Sequence, residues 1–198
     1  FVGGAYVSVA NAGASPIKSK PLPHGTPRWG AEGKKGVAHN YRRVLSIGIH
    51  GSCMSYRQHY LDLDPTYKDS NGLPLLRMTF DWHKNEQKML GWLYERCIDI
   101  AKATKAARYD AHAIPTKYSI VPYQSTHNVG GAVMGTDPST SVVNKYLQSW
   151  GVSNLFVVGG SAFPQNAAQG PTATIGMLAC WAADGIKEQY LKRPGPLV

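Results

Sequence analysis

The 198 residues contain no Gly-x-Gly-x-x-Gly. A dinucleotide fold needs that element between a strand and a helix, so that a pyrophosphate meets free backbone N–H groups at the helix start. The nearest approach, Gly3-Gly4, follows only Phe1-Val2 and opens a β-like stretch over 5–10, so it reads as a strand edge. Cysteine is scarce. Cys53, Cys97 and Cys180 are odd in number and far apart with no CxxC, which excludes a disulfide framework. Cys97 and Cys180 fall on apolar helical faces and read as buried, inert thiols. The seven histidines form no HxxxH or HExxH, which argues against a metal centre. Asp62, Asp64 and Asp69 lack the closing Glu of a calcium loop and read as turn caps. No apolar run is long enough to span a bilayer, so any membrane attachment comes through a partner or through sequence outside this chain. Acids are few, 12 against 21 Lys and Arg, a formal net charge of +9. The basic residues are scattered rather than interleaved with aromatics. That speaks against nucleic acid and leaves anionic substrates or an acidic partner subunit.

What is present is an ordinary globular composition with 17% charged residues, enough for one domain or two incomplete lobes. Residues 11–40, rich in Gly, Pro, Ser and Lys, predict a long surface loop. Stretches 44–50 and 75–80 predict strands, with turn-rich sequence over 61–72 between them. Asp81 is suited to cap a long helix, on which Met89, Leu93, Cys97, Ile100 and Ala101 recur at helical spacing. A strand over 114–121, a short helix over 141–149 and a fully buried strand over 155–158 follow. An Ala-rich helix over 173–190 has little polar surface in its first half and is expected to be buried there. The fold class is α+β: an antiparallel-sheet lobe backed by helices over 1–122, then a strand–loop–helix piece over 123–198.

Chemistry concentrates late in the chain. Thr126-His127-Asn128-Val129-Gly130-Gly131 puts one imidazole in a glycine-rich turn. Taken alone, such a histidine is either a turn residue or a base. An apolar stretch, 155–158, then ends in Gly159-Gly160-Ser161. Pro171-Thr172 opens the last helix, proline being favoured at a first helical position where no N–H is needed. Free N–H groups there, with the helix dipole, stabilise negative charge. His50 and His59 flank a segment that could line a pocket.

In that order, the histidine turn, the Gly159-Gly160-Ser161 corner and the Pro171-Thr172 helix start resemble the C-terminal end of the glucose–methanol–choline (GMC) flavin-dependent oxidoreductases. Tyr60 to Pro65, Leu73 to Asp81 and Val142 to Ser149 resemble, within that family, the fructose and gluconate 2-dehydrogenase large subunits. The resemblance implies FAD as cofactor and a sugar, sugar acid or related alcohol as substrate. It implies that His127 takes the hydroxyl proton while hydride passes to flavin N5, and that Gly159, Gly160, Pro171 and Thr172 lie against the flavin. It also implies a flavin-binding N-terminal part of the same protein, beyond this chain. Possible partners are a cytochrome c and a small subunit, and the implied setting is periplasmic and membrane-associated through those partners. The chain departs from the pattern at one point. Where the family keeps a second His or Asn, this sequence has Gly170, which offers no side chain; Gln169 and Asn166 are the neighbours that could stand in. Gly170 and the missing dinucleotide motif leave a rival reading open, a non-catalytic module that binds a partner subunit.

Overall fold

A computed structural model describes residues 1–11, 22–119 and 127–197. The first strand, β1 (Ala5–Asn11), pairs antiparallel with β2 (Leu45–Gly51), Ala5 opposite Gly51 and Asn11 opposite Leu45. A second ribbon joins β3 (Tyr60–Lys68) to β4 (Pro74–Thr79), also antiparallel. The two ribbons are separate, so the expected antiparallel sheet is two two-stranded pieces, and the α+β class holds in that coarser form.

Among the described residues, the first ribbon is the one that a helix backs. Helix α2 (Lys84–Ala103) buries Met89 and Leu93 against β2, so closely that a Cβ on Gly51 would lie 2.6 Å from the Met89 methyl. Of the apolar positions expected on this helix, Cys97 and Ala101 are half-buried and Ile100 is exposed. Asp81 does not cap it. His83 occupies the cap position without a side-chain bond, while Asp81 accepts the backbone N–H of Trp82 and of Tyr118. Asp81 lies too far upstream to reach the N–H groups of the first helical turn, and its oxygen ties down the 118 region instead.

Of the loop expected over 11–40, residues 12–21 lie outside the described residues and 22–29 are turns and bends as expected, whereas 30–40 form helix α1 (Gly30–Asn40). Ala31, Ala38 and a Lys35–Glu32 ion pair favour it locally. Its glycines serve close packing: a Cβ on Gly33 would lie 2.8 Å from the Pro27 carbonyl. Residues 61–72 are mostly strand. The ladder shifts register between Leu63 and Lys68, and Pro65 sits in that irregularity, where its missing N–H breaks no ladder bond. Asp64 and Asp69 do cap turns, each accepting two backbone N–H groups, whereas Asp62 pairs with Arg77 across the hairpin.

Neither short element expected between 141 and 158 forms. Over 141–149 the chain is irregular, because the Asn144 side-chain oxygen accepts the N–H groups of Tyr146 and Gln148 and so offers the backbone an alternative to helix. Leu147 takes φ 60°. Over 155–158 only Phe156 makes a bridge, to Gln148, and Leu155 and Val158 are about half exposed. Residues 114–119 are irregular too, and 120–126 lie outside the described residues, as does the expected lobe boundary.

The last helix, α3 (Thr172–Gly185), widens into a π-turn over Ile186–Tyr190. The burial expected in its first half is found in its second. Ala182 and Gly185 are buried, while Thr172, Ala173, Thr174 and Met177 are exposed, and so is Cys180. Apolar character supplies a reason to be covered, but none of the described residues covers that face. Val143, Leu147, Ala162 and Ala182 form the main core, with Met134, Val157 and Leu178 around it. Buried Asn144 and Gln148 tie the C-terminal tail to this core by hydrogen bonds to Leu197 and Gly195.

Candidate functional site

Three backbone hydrogen bonds join the histidine turn to the glycine corner. Gly130 N–H meets the Gly160 carbonyl at 3.3 Å, Ala132 that of Ser161 at 2.8 Å, and Met134 that of Ala162 at 2.8 Å. Gly130 takes φ +93° and Gly159 φ +141°, conformations that side-chain-bearing residues rarely adopt. The first turn of α3 rests on the same corner: a Cβ on Gly160 would lie 3.4 Å from Ile175 Cδ1 and 3.3 Å from the Asn128 carbonyl. The segment before α3 returns to His127. A Cβ on Gly170 would lie 3.6 Å from His127 Cε1 and 4.0 Å from Nε2. Turn, corner and the segment before α3, which the sequence separates, therefore pack together, with Gly170 beside the His127 imidazole.

Asn166 holds this arrangement. Its Nδ2 donates to the His127 carbonyl at 2.8 Å, and its Oδ1 accepts Ala168 N–H at 2.9 Å. Both ends of the amide are engaged, so Asn166 does not replace the side chain that Gly170 lacks. Gln169 is exposed. The backbone of Asn166 also pairs with Cys53 in both directions, at 3.1 and 3.3 Å, and Ser55 donates to the Pro164 carbonyl. These contacts bridge the two expected lobes.

Between them lies a cavity of about 1060 Å³. His127, Gly130 and Asn166 belong to one wall; His50, Tyr56, Arg57, His59, Trp82 and Glu86 belong to the other. Both histidines flanking the 50–59 segment thus reach the cavity, as does His112. Gly159, Gly160, Gly170, Pro171 and Thr172 stand outside its lining, on the adjoining surface.

Charge on the cavity wall is one-sided. Among the described residues Glu86 is its one carboxylate and is 1% exposed. It accepts Tyr56 Oη at 3.1 Å on both oxygens, Met54 N–H at 3.3 Å and Asn85 Nδ2 at 3.2 Å. Burial pushes its pKa up, but the hydrogen bonds from Asn85, backbone N–H groups and Tyr56 outweigh burial and hold it below the usual carboxylate value. Burial first, then the Glu86 charge, lifts the Cys53 thiol to about 11, so this thiol stays protonated and is no nucleophile. Among the described residues Arg57 is the one on the wall with a permanent positive charge, and no ion pair ties it. Sequence reasoning passed over Arg57, Tyr56 and Glu86. A lone Glu at the start of a helix carries no signal until the fold buries it.

The residues present fit a flat cofactor beside His127 that gains negative charge on reduction. The three N–H groups opening α3 receive no side-chain cap from Pro171, and the residues carrying them are exposed. A Cβ on Gly159 would meet nothing within 4 Å, so that corner is open. Among the described residues no group of His, Cys, Asp and Glu could hold a metal.

Comparison with known proteins places these features in a family. The GMC oxidoreductase family model matches residues 57–179. A gluconate 2-dehydrogenase flavoprotein from Pantoea cypripedii is 48% identical over the whole chain, which covers 32% of that protein. A 2-methyl-1,2-propanediol dehydrogenase from Mycolicibacterium austroafricanum is 32% identical over 82% of the chain, 28% of its own length. A fructose dehydrogenase large subunit from Gluconobacter japonicus is 34% identical over 64% of the chain, 22% of its own length. The chain thus spans about a third or less of these relatives.

Proposed function

The chain belongs to the GMC oxidoreductase family, and from that premise we propose that it forms the substrate-facing C-terminal part of an FAD-dependent dehydrogenase acting on the CH–OH group of a sugar acid or related polyol. The observation that carries this reading is the His127 imidazole, on the wall of a large cavity and 3.6 Å from the Cβ position of Gly170. When bound, FAD supplies the hydride acceptor. His127 takes the proton of the substrate hydroxyl, and Asn166 fixes the turn that aims it. Gly159 and the Pro171-Thr172 helix start offer the cofactor open backbone and uncapped N–H groups, and Gly160 packs the corner that holds them together. Arg57 favours a carboxylate-bearing substrate over a neutral sugar, because the Glu86 charge is buried and already satisfied.

The flavin lobe to which 123–198 contributes, and the N-terminal flavin-binding part that completes it, belong to this proposal. So does assembly with further subunits, a small subunit and a cytochrome c, in a periplasmic membrane-associated complex. One relative's name, a large subunit, supports partner subunits. No helix among the described residues is long and apolar enough to cross a membrane. The second reading, a partner-binding module without turnover, draws on Gly170. Anaerobic addition of an aldonate to the purified holoenzyme decides between them. Bleaching of the flavin absorbance supports dehydrogenation, whereas a protein with bound flavin that no sugar, sugar acid or polyol bleaches is the non-catalytic module.

A further inference from the structure

His59 and His83 meet through their Nε2 atoms at 3.0 Å. Such a contact holds one proton, so one ring donates and the other accepts. The backbone N–H of Asp81 approaches His59 Nε2 at 3.5 Å, and a backbone N–H can only donate. His59 Nε2 is therefore the acceptor and His83 Nε2 the donor. The neutral His59 ring then carries its own proton on Nδ1, where no acceptor bonds it among the described residues. His59 lines the cavity and His83 stands behind it.

The surroundings fix both rings. Tyr56 stacks on His83 with centroids 3.9 Å apart and planes at 21°, while its hydroxyl is held by the buried Glu86. Phe80 lies 4.5 Å from the His59 ring and Tyr56 meets that ring edge-on at 5.3 Å. Burial, then the adjacent His83, lower the pKa of His59; the Glu86 and Asp81 charges work against that shift without cancelling it. Neutral His59 is thus the form present at and above the usual imidazole range.

We propose that His59, locked in its Nδ1–H tautomer by His83, is a substrate-binding donor on the cavity wall opposite His127, giving a hydrogen bond to an oxygen of a polyhydroxylated substrate. His83 acts through it as a positioning residue. The assignment rests on the reading of this cavity as the substrate chamber. Arg57, two residues before His59, offers a charge on the same wall, so a carboxylate and a nearby hydroxyl of one molecule are both addressed. Acid breaks the arrangement: a proton on His59 Nε2 points an N–H at the N–H of His83.

Steady-state kinetics of the holoenzyme with an aldonate, over pH, test it. His59→Phe raises KM about three- to tenfold, the worth of one neutral hydrogen bond, and leaves kcat within about twofold. His59→Gln, whose amide restores a donor, recovers most of the loss. In the unaltered enzyme KM rises only below the usual imidazole range; His83→Phe, which removes both the lock and the neighbouring ring that disfavours His59 protonation, moves that rise to higher pH. His83→Gln, which still donates to Nε2, keeps KM low at neutral pH. Affinity for a non-oxidisable keto-acid product, read from flavin fluorescence, follows the same order. Unchanged KM and product affinity in folded, flavin-replete His59→Phe overturn the proposal, and so does His83→Gln matching His83→Phe. If no CH–OH substrate reduces the unaltered holoenzyme, the substrate-chamber reading itself fails, which is a separate outcome.

Discussion

The two walls of the cavity are built on opposite principles. One, drawn from residues 50–89, is crowded with side chains whose polar atoms answer one another: Glu86 with Tyr56, Met54 and Asn85, and His83 with His59. The other sets the His127 imidazole beside Gly130 and Asn166, and adjoins a glycine-rich backbone surface at Gly159, Gly160 and Gly170 that lies outside the lining. Side chains that are hydrogen-bonded before a ligand arrives can position a small polar molecule. Bare backbone with uncapped N–H groups suits a flat cofactor, because a Cβ at each glycine would take space or force strain. The proposed division of labour, substrate on the first wall and cofactor on the glycine-rich surface beside the second with His127 between them, follows from that contrast.

His127→Ala is the largest expected break. Removing a general base typically costs about 10²–10⁴-fold in turnover, with flavin content retained because the backbone of the turn is unchanged. Reductive half-reaction rates under anaerobic conditions measure it, and a loss below about tenfold takes His127 out of the base role. Arg57→Leu comes next and acts on the other wall. A hydrogen bond to a charged group is worth about 1.5–3 kcal/mol, so KM for a sugar acid rises roughly 10- to 150-fold while KM for a neutral polyol holds. An equal change for both substrates breaks the carboxylate assignment.

The contrast also explains what could be read in the sequence. The β1–β2 pairing partners, β4, α2 and α3 were legible because period and length carry them. The His127 turn, the Gly159-Gly160 corner and the Pro171-Thr172 start were legible because glycine and proline leave marks in sequence order. The first wall was not, apart from His50 and His59. Tyr56, Arg57 and Glu86 are ordinary surface residue types until β2 and α2 bring them to one cavity. The failed helix over 141–149 has the same cause in miniature, since Val142, Val143 and Leu147 look helical while Asn144 recruits the nearby N–H groups.

Glu86 gives a smaller effect, on stability rather than turnover. Its folded pKa is depressed, so its contribution is present above the unfolded carboxylate pKa and is lost as pH falls through the folded value. The melting temperature should therefore decline as pH drops below the usual Glu range. In Glu86→Gln that part of the acid dependence disappears, at the cost of a lower melting temperature near neutrality. Thermal scans across pH with both proteins measure it; identical acid slopes sink the assignment of Glu86 as the anchor of the first wall.

The smallest expected effect falls beside the second wall, at Gly170, where the resemblance to the family implies a His or Asn. Gly170 does not occupy the left-handed region, and a Cβ there meets His127 at ordinary contact distance, so a side chain fits without strain. That separates it from Gly130 and Gly159, whose positive φ resists substitution. Gly170→Asn places an amide beside the imidazole, where it can hold the substrate oxygen as His127 removes the proton. Asn166 cannot supply that bond, because its amide is already shared between the His127 carbonyl and Ala168 N–H. Turnover in Gly170→Asn should rise roughly two- to tenfold, the worth of one neutral hydrogen bond, with melting temperature and flavin content unchanged. Steady-state oxidation of a panel of sugars and sugar acids with an artificial electron acceptor measures it. If activity falls while fold and flavin persist, the open space at Gly170 is itself used by substrate or cofactor, and the surface beside His127 depends on the absence of a side chain there as it does at Gly159.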